Sequence, residues 1–226
     1  MGLFRHGRRS RAIGYAVFAL AILAIAGVVP GSVDRQRVKQ FEFTSERPGT
    51  ATGVEAIVTF PGATPETAVS SIVTKLARGI ELDTSVPVRC KATDEELVAQ
   101  GQAACPPASR VGDGLIRLRE FGVADVTLFN AKRETIFLIE LRDFQFRTVG
   151  RETASGRTQR IEVMEGVTLK RIKLEIDRIR RGGENYLETP ERCPDRGKWT
   201  NRGTFTYRDG VVQREKGGTP CEDRRD

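Results

Sequence analysis

Seventeen consecutive uncharged residues, Ile13 to Val29, follow a head that carries Arg5, Arg8, Arg9 and Arg11 and no acid. No other feature constrains the fold as strongly, because it divides the chain into parts that meet different solvents. Positive residues stay on the cytoplasmic side of a membrane, so residues 1–12 are expected inside and everything beyond Val29 outside. Pro30-Gly31 stops the run. Seventeen apolar residues reach the low end of a spanning helix. Ala24-Ile25-Ala26 offers a signal-peptidase pattern behind an apolar core of normal length, Ile13 to Leu23. The run continues through Gly27-Val28-Val29 with no polar stretch before it, so retention is favoured over cleavage. A buried core helix is a poor fit, because the segment is apolar all round and sits behind a purely basic head. Arg8-Arg9 resembles a twin-arginine signal but lacks the apolar follow-on, and no cysteine near the segment's end allows a lipid anchor. Expected boundaries are thus a cytoplasmic head (1–12), a transmembrane anchor or signal segment (13–31), a polar connector (32–40) and an extracytoplasmic domain (41–226).

The four cysteines agree with export. Cys90, Cys105, Cys193 and Cys221 all lie on the outer side, and an even number of widely spaced cysteines there reads as two disulfides. Of three connectivities, Cys90–Cys105 with Cys193–Cys221 is preferred, since each pair brackets a local unit with its own turn signals. Closing loops of these lengths stabilises by roughly 3 to 4 kcal/mol each in the chain-entropy model. A zinc site with four cysteine ligands fails on spacing, because no two cysteines are close neighbours.

The net charge of +7 invites a nucleic-acid partner. Four of the 37 basic residues belong to the head, leaving 33 basic against 30 acidic in the remainder. That is a balanced, solvated surface without the clustered cations and interleaved aromatics of a phosphate-tracking groove. No nucleic-acid partner is expected.

Alternation at period two runs through Phe41 and Phe43, then Val54 to Phe60 until Pro61-Gly62, and again through Ile72, Thr74 and Leu76. Thr93 and Glu96 form a T-x-x-E capping box that opens one short helix, with Leu97 and Val98 as its apolar face and Gly101 at its end. The Cys90–Cys105 bridge across it reads as a structural staple. Strand signals return at Leu115–Leu118, Val123–Ala131, Glu134–Leu141 and Phe144–Val149. Asn130 to Arg133 reads as a hairpin turn and Gly150 to Thr158 as a longer polar one. Val167–Arg181 fits both periods, and its β-branched isoleucines favour strand. Asp209-Gly210 turns the chain into Val211-Val212. The predicted fold is mainly β, an antiparallel sandwich-like domain with one short helix.

The chemistry is defined by what is missing. The one histidine is His6, in the head. The outer domain therefore has no imidazole for Ser–His–Asp or Cys–His hydrolysis or for an H-E-x-x-H metal site. No P-loop, G-x-S-x-G elbow or dinucleotide fingerprint occurs. No catalytic, cofactor-binding or metal-ligating residue is assigned, and no cofactor is expected. Carboxylate-only glycoside hydrolysis survives, but thirty acids make some suitable pair a matter of chance. Glu81/Asp83 and Asp94/Glu95/Glu96 read as a strand edge and a helix first turn. Gly112-Asp113-Gly114 reads as a turn offering at most one calcium ligand. Arg178, Arg180 and Arg181 could bind an anionic polymer, though a solvated strand end fits as well.

Lys91, Asp94, Leu97, Ala104-Cys105-Pro106, Ser109-Arg110-Val111-Gly112 and Gly114 form one set of motifs. Thr189-Pro190, Cys193-Pro194, Gly197-Lys198-Trp199 and Phe205-Thr206-Tyr207-Arg208-Asp209-Gly210 form another. Together, over roughly residues 70–221, they resemble a loose group of uncharacterised exported proteins of high-GC Gram-positive bacteria. The resemblance implies a secreted β domain with two disulfides and brings no activity, substrate or catalytic residue. The expectation is an exported, non-catalytic envelope protein with a cell-wall or surface partner. A carbohydrate- or lipid-binding module is the alternative, and exposure of Trp199 and Tyr207 would favour it.

Overall fold

The computed structural model describes residues 35–153 and 158–222, so the head and Ile13–Val29 lie outside it. In chain order the strands and helix are β1 (Arg37–Phe43), β2 (Val54–Thr59), β3 (Val69–Lys75), β4 (Glu81–Leu82), α1 (Asp94–Gln100), β5 (Arg110–Leu118), β6 (Gly122–Ala131) and β7 (Glu134–Leu141). There follow β8 (Arg147–Thr153), β9 (Thr158–Glu162), β10 (Leu169–Ile176), β11 (Arg180–Arg181), β12 (Glu184–Asn185), β13 (Leu187–Glu188), β14 (Lys198–Tyr207) and β15 (Val212–Pro220). Seven strands form one antiparallel sheet in the order β1-β2-β10-β5-β6-β7-β8, and four form a second, β15-β14-β3-β9. The mainly β, antiparallel expectation with one short helix is met, and Val167–Arg181 resolves to strand over Leu169–Ile176.

Both sheets contribute to one buried cluster. Leu118, Leu169 and Ile172 of the larger sheet meet Val69, Ile72, Phe205 and Tyr207 of the smaller, with Phe60 joining edge-on to Phe205 at 5.9 Å between ring centroids. Further along, Phe41, Phe43 and Val54 pack with Leu76, Leu187 and Trp199. Where the smaller sheet ends, Tyr186 continues the cover over Val111, Val126 and Leu128. Full burial of each such side chain stabilises by about 1.5–3 kcal/mol.

The two sheets are tied along a seam where β1 meets β14 and β15. Asn201, fully buried in β14, donates from Nδ2 to the Phe41 carbonyl at 3.0 Å and accepts the Ala77 N–H at 2.9 Å. The Phe43 N–H donates to Thr219 Oγ1 at 2.7 Å. Gly217 allows this approach, since a Cβ there would fall 2.6 Å from the Phe41 carbonyl oxygen. The Cys193–Cys221 bridge closes the open end of the β14–β15 hairpin, beside Trp199, whose indole N–H donates to the Arg192 carbonyl at 3.2 Å.

The helix lies on the opposite face of the larger sheet. Its capping box forms as the sequence predicts: Thr93 Oγ1 accepts the Glu96 N–H at 3.2 Å, and Glu96 accepts the Thr93 N–H at 2.8 Å. Leu97 is fully buried against Phe129, Ile136 and Leu138, and Cys90–Cys105 holds the segment down. Arg151 of β8 pins the helix start, donating to Asp94 at 2.6 Å and to the Ala92 carbonyl at 2.7 Å. The expected pairing of the cysteines is present for both bridges.

Several local expectations are corrected. Val98 points to solvent at 43% exposure, so Leu97 alone is the helix's buried residue. Asn130 is not in the turn. It is a fully buried strand residue whose Nδ2 donates to the carbonyls of Thr84 and Pro87 at 3.0 and 3.1 Å, holding the chain that leads into Cys90. Gly112-Asp113-Gly114 is part of strand β5, and both glycines are needed there because a Cβ would fall 2.0 and 2.2 Å from the carbonyl oxygens of Glu175 and Lys173. Phe144 and Phe146 precede β8 in an exposed turn, while Gly150–Thr153 is strand. The first strand begins at Arg37, within the stretch read as a connector.

Two expectations about stability follow. Asn201→Ala leaves the Phe41 carbonyl and the Ala77 N–H buried without partners, and should cost about 2–4 kcal/mol in urea unfolding with the disulfides intact. Glu152 of β8 is buried with no hydrogen-bond partner for either oxygen among the described residues, and burial pushes its carboxyl up to about 8. Between the ordinary value near 4.5 and about 8 the folded state keeps a proton that the unfolded chain has released. The stability this proton confers is therefore full at low pH and falls as pH rises through that window, by about 1.4 kcal/mol for each pH unit crossed. Glu152→Gln should flatten the decline between pH 5 and pH 8 and be the more stable protein at pH 8. An unchanged slope in the variant would refute the assignment.

Candidate interaction surface

Side chains alternate across a strand, so pairing register decides which outward-facing residues become neighbours. On the outer face of the larger sheet it aligns Glu42 of β1 with Glu55 of β2, Glu55 with Glu175 of β10, and Glu175 with Asp113 of β5. Four carboxylates thus stand side by side on adjacent strands, which lie about 4.8 Å apart. Gln40 donates to Glu55, and Arg110 pairs with Asp113. Among the described residues Glu42 and Glu175 have neither a hydrogen-bond nor an ion-pair partner for their side chains.

Two residues along, the next outward row runs Ile57, Lys173, Leu115, Asp125, Glu140 and Arg147. Here the acids are neutralised. Arg142 grips Asp125 with two hydrogen bonds of 2.9 and 2.7 Å, and Arg147 meets Glu140 at 2.6 Å. The Arg142 guanidinium holds the Asp125 carboxyl below the usual carboxylate range. A further two residues along, Arg171 and Arg117 stand opposite one another, with Arg37 of β1 aligned through Thr59. The face is therefore graded from acidic to basic along the strands.

Helix α1 and the turns after it roof one part of this face and leave the rest open. Between Gln102 on that roof and Lys173 and Glu175 on β10 lies a shallow groove of about 480 Å³. Leu115, 38% exposed, is on its floor, with Asp113, Asp125 and Arg142 around it. Of the three acids that line the groove, Asp125 is the one Arg142 holds ionised, whereas a glycosidase's general acid needs its proton held to higher pH.

Of the sequence-predicted candidates, Asp113 and Gly114 of the Gly112-Asp113-Gly114 segment stand at the groove. The four cysteines form structural bridges. Trp199 and Tyr207 are 3% and 2% exposed, so neither offers a platform for a sugar. Asp83 caps its own turn, accepting the Ser85 N–H at 2.7 Å, and Asp94 starts the helix. Arg180 and Arg181 are exposed on the small β11–β12 hairpin. Among the described residues no group of three or more His, Cys, Asp or Glu is arranged to hold a metal ion. Glu42, Glu55 and Glu175 belong to no sequence motif, because only register brings residues so far apart in the chain together.

No family model matches the chain, and no curated protein matches it. Among solved structures it is similar to the cohesin module of a family 33 glycoside hydrolase from Clostridium perfringens ATCC13124. The identity is 9% and the TM-score 0.23, over 83% of this chain and 95% of that one. An overlap that loose assigns neither fold nor role.

Like charges directly opposed on a sheet are destabilising, where favourable cross-strand pairs contribute roughly 0.2–1 kcal/mol each. Glu175→Gln, at the centre of the row, should therefore raise stability by about 0.5 kcal/mol at low ionic strength, and the gain should shrink with added salt. Denaturation midpoints of the two proteins at low and high salt measure both effects.

Proposed function

We propose that this chain is an exported, non-catalytic interaction domain of the cell envelope, held at the membrane by Ile13–Val29, which contacts its partner through the open face of the larger sheet. The carrying observation is the row Glu42, Glu55, Glu175 and Asp113. Natural proteins keep destabilising arrangements where function needs them, and an in-register acidic row beside an open groove complements a partner that presents cations. Two closed disulfides with no free cysteine among the described residues support an oxidising compartment outside the cytoplasm. The layered pair of sheets fits a sandwich, a scaffold that carries many unrelated binding roles. The burial of Trp199 and Tyr207 counts against the sugar-binding alternative.

A photo-crosslinking residue at Leu115, in the full-length protein expressed in its own cells, tests the reading. The expected result is a discrete adduct from the groove, absent when the crosslinker stands at exposed Arg202 on the other sheet, and lost in a Glu42→Lys, Glu175→Lys double variant. Intact mass with alkylation before and after reduction, on membrane and medium fractions, tests the location. A full-length mass in the membrane with all four cysteines blocked until reduction is expected. Cysteines that alkylate without reduction would overturn export, and equal crosslinking from both faces would overturn the contact surface.

A further inference from the structure

One end of the domain carries both the arriving chain and most of the exposed apolar side chains. Arg35, the first described residue, pairs with Asp209 in the β14–β15 turn at 2.5 Å, and Tyr207 donates its hydroxyl to Gln36. Arg208 beside them reaches the carbonyls of Pro65 at 3.0 Å and Met164 at 2.8 Å. Arg119 donates to the Ala63 carbonyl at 2.7 Å, and the Arg142 N–H to the Val123 carbonyl at 3.1 Å. The β5–β6 and β7–β8 turns therefore share this end with the start of β1. Glu222, by contrast, bonds through its N–H to the Glu46 carbonyl at the far end.

Of nine exposed large apolar residues among those described, six lie at this end, and only Val88, Val98 and Leu115 do not. Phe144, Met164 and Phe146 are 54%, 53% and 50% exposed, and Phe121 stands edge-on to Phe144 at 6.5 Å. Val211 and Val212 complete the set. A folded domain gains nothing from holding phenylalanines in water at its turns, and apolar residues at one rim beside cations are what an interfacial surface needs. The cations are Arg37, Arg171 and Arg117, which have no ion-pair partner among the described residues. Glu66, Glu120, Asp143 and Glu165 also lie at this end, so the electrostatic attraction is modest and the apolar side chains must supply the rest.

We infer that this end docks on an anionic lipid bilayer, with the Phe121, Phe144 and Phe146 turns entering the headgroup region and the Arg37, Arg171 and Arg117 row facing the phosphates. The inference rests on the proposed anchoring by Ile13–Val29. Five residues separate Val29 from Arg35, a reach of at most about 20 Å, so an anchored chain keeps this end beside the bilayer. An anionic surface attracts nearby cations, and phenylalanines on an interfacial face bury at the boundary of headgroups and acyl chains.

The test uses the full-length chain carrying Phe144→Trp, a conservative change at an exposed position, reconstituted into vesicles with brominated acyl chains. Buried Trp199 serves as the internal reference. In phosphatidylglycerol vesicles the tryptophan at position 144 should lose emission to the bromines, with less loss in phosphatidylcholine. The Arg37→Gln, Arg171→Gln, Arg117→Gln variant should lose that lipid dependence. Flotation of the same samples reports anchoring separately. Protein that floats with the vesicles while the position-144 emission stays unquenched would overturn docking and leave anchoring intact. Docking is equally overturned if that tryptophan is shielded from iodide yet untouched by bromine, the signature of a protein partner or a second copy. Protein that fails to float overturns the anchoring, and docking with it.

Discussion

Asn201 and the seam around it govern how the rest of the molecule is arranged. A sheet of seven strands and a sheet of four have hydrophobic inner faces that attract each other without direction. Direction comes from polar groups. A buried amide that donates to Phe41 and accepts from Ala77 costs free energy if either bond is lost, so it admits one relative placement of β1, β14 and the end of β3. Gly217 removes the one Cβ that would hold the strands apart, and Thr219 satisfies the Phe43 N–H at the same joint. With the seam fixed, the aromatic core closes, and the β14–β15 hairpin takes the position that Cys193–Cys221 then locks.

The two disulfides differ in what they secure. Cys193–Cys221 reinforces a hairpin whose strands already share a continuous ladder. Cys90–Cys105 does more for its surroundings, because a seven-residue helix is marginal alone. Leu97, Arg151 and Asn130 bind that segment to the sheet from three sides, and the bridge limits how far it can stray when any of them lets go. The roof so formed stops short of β10, which is why the outer face is part covered and part open. The acidic row, the groove and the basic row are consequences of where the helix ends.

The proposed lipid-facing end, the proposed partner-facing sheet and the sealed core share one scaffold. Their separation follows from the antiparallel arrangement, in which turns gather at the two ends and side chains sort onto two faces. Turn residues face no packing constraint, so Phe121, Phe144 and Phe146 are free to serve an interface. Strand residues on the open face need only avoid disrupting the ladder, and Glu42 and Glu175 are tolerated there at a small cost in stability.

Local signals in the chain carried much of this structure. The strands follow from alternation, the helix start from Thr93 and Glu96, and the cysteine pairing from the units each pair brackets, because each depends on residues close together in sequence. Asn130 and Gly112-Asp113-Gly114 show where such signals mislead: composition typical of turns was used instead for a buried staple and for a close strand approach. The candidate surface lay outside any local rule. Glu42, Glu55, Asp113 and Glu175 become one row only through the pairing of β1, β2, β10 and β5, and a register shift of one residue would have turned them toward the core. The sequence by itself determined most of the longer strands, the start of the helix and the pairing of the cysteines, since these are set by short-range geometry and solvent preference. Only the tertiary structure decided which charges meet and which aromatics stay in water, because strand order and register are settled by packing between strands that, as in β2 with β10, can be more than a hundred positions apart.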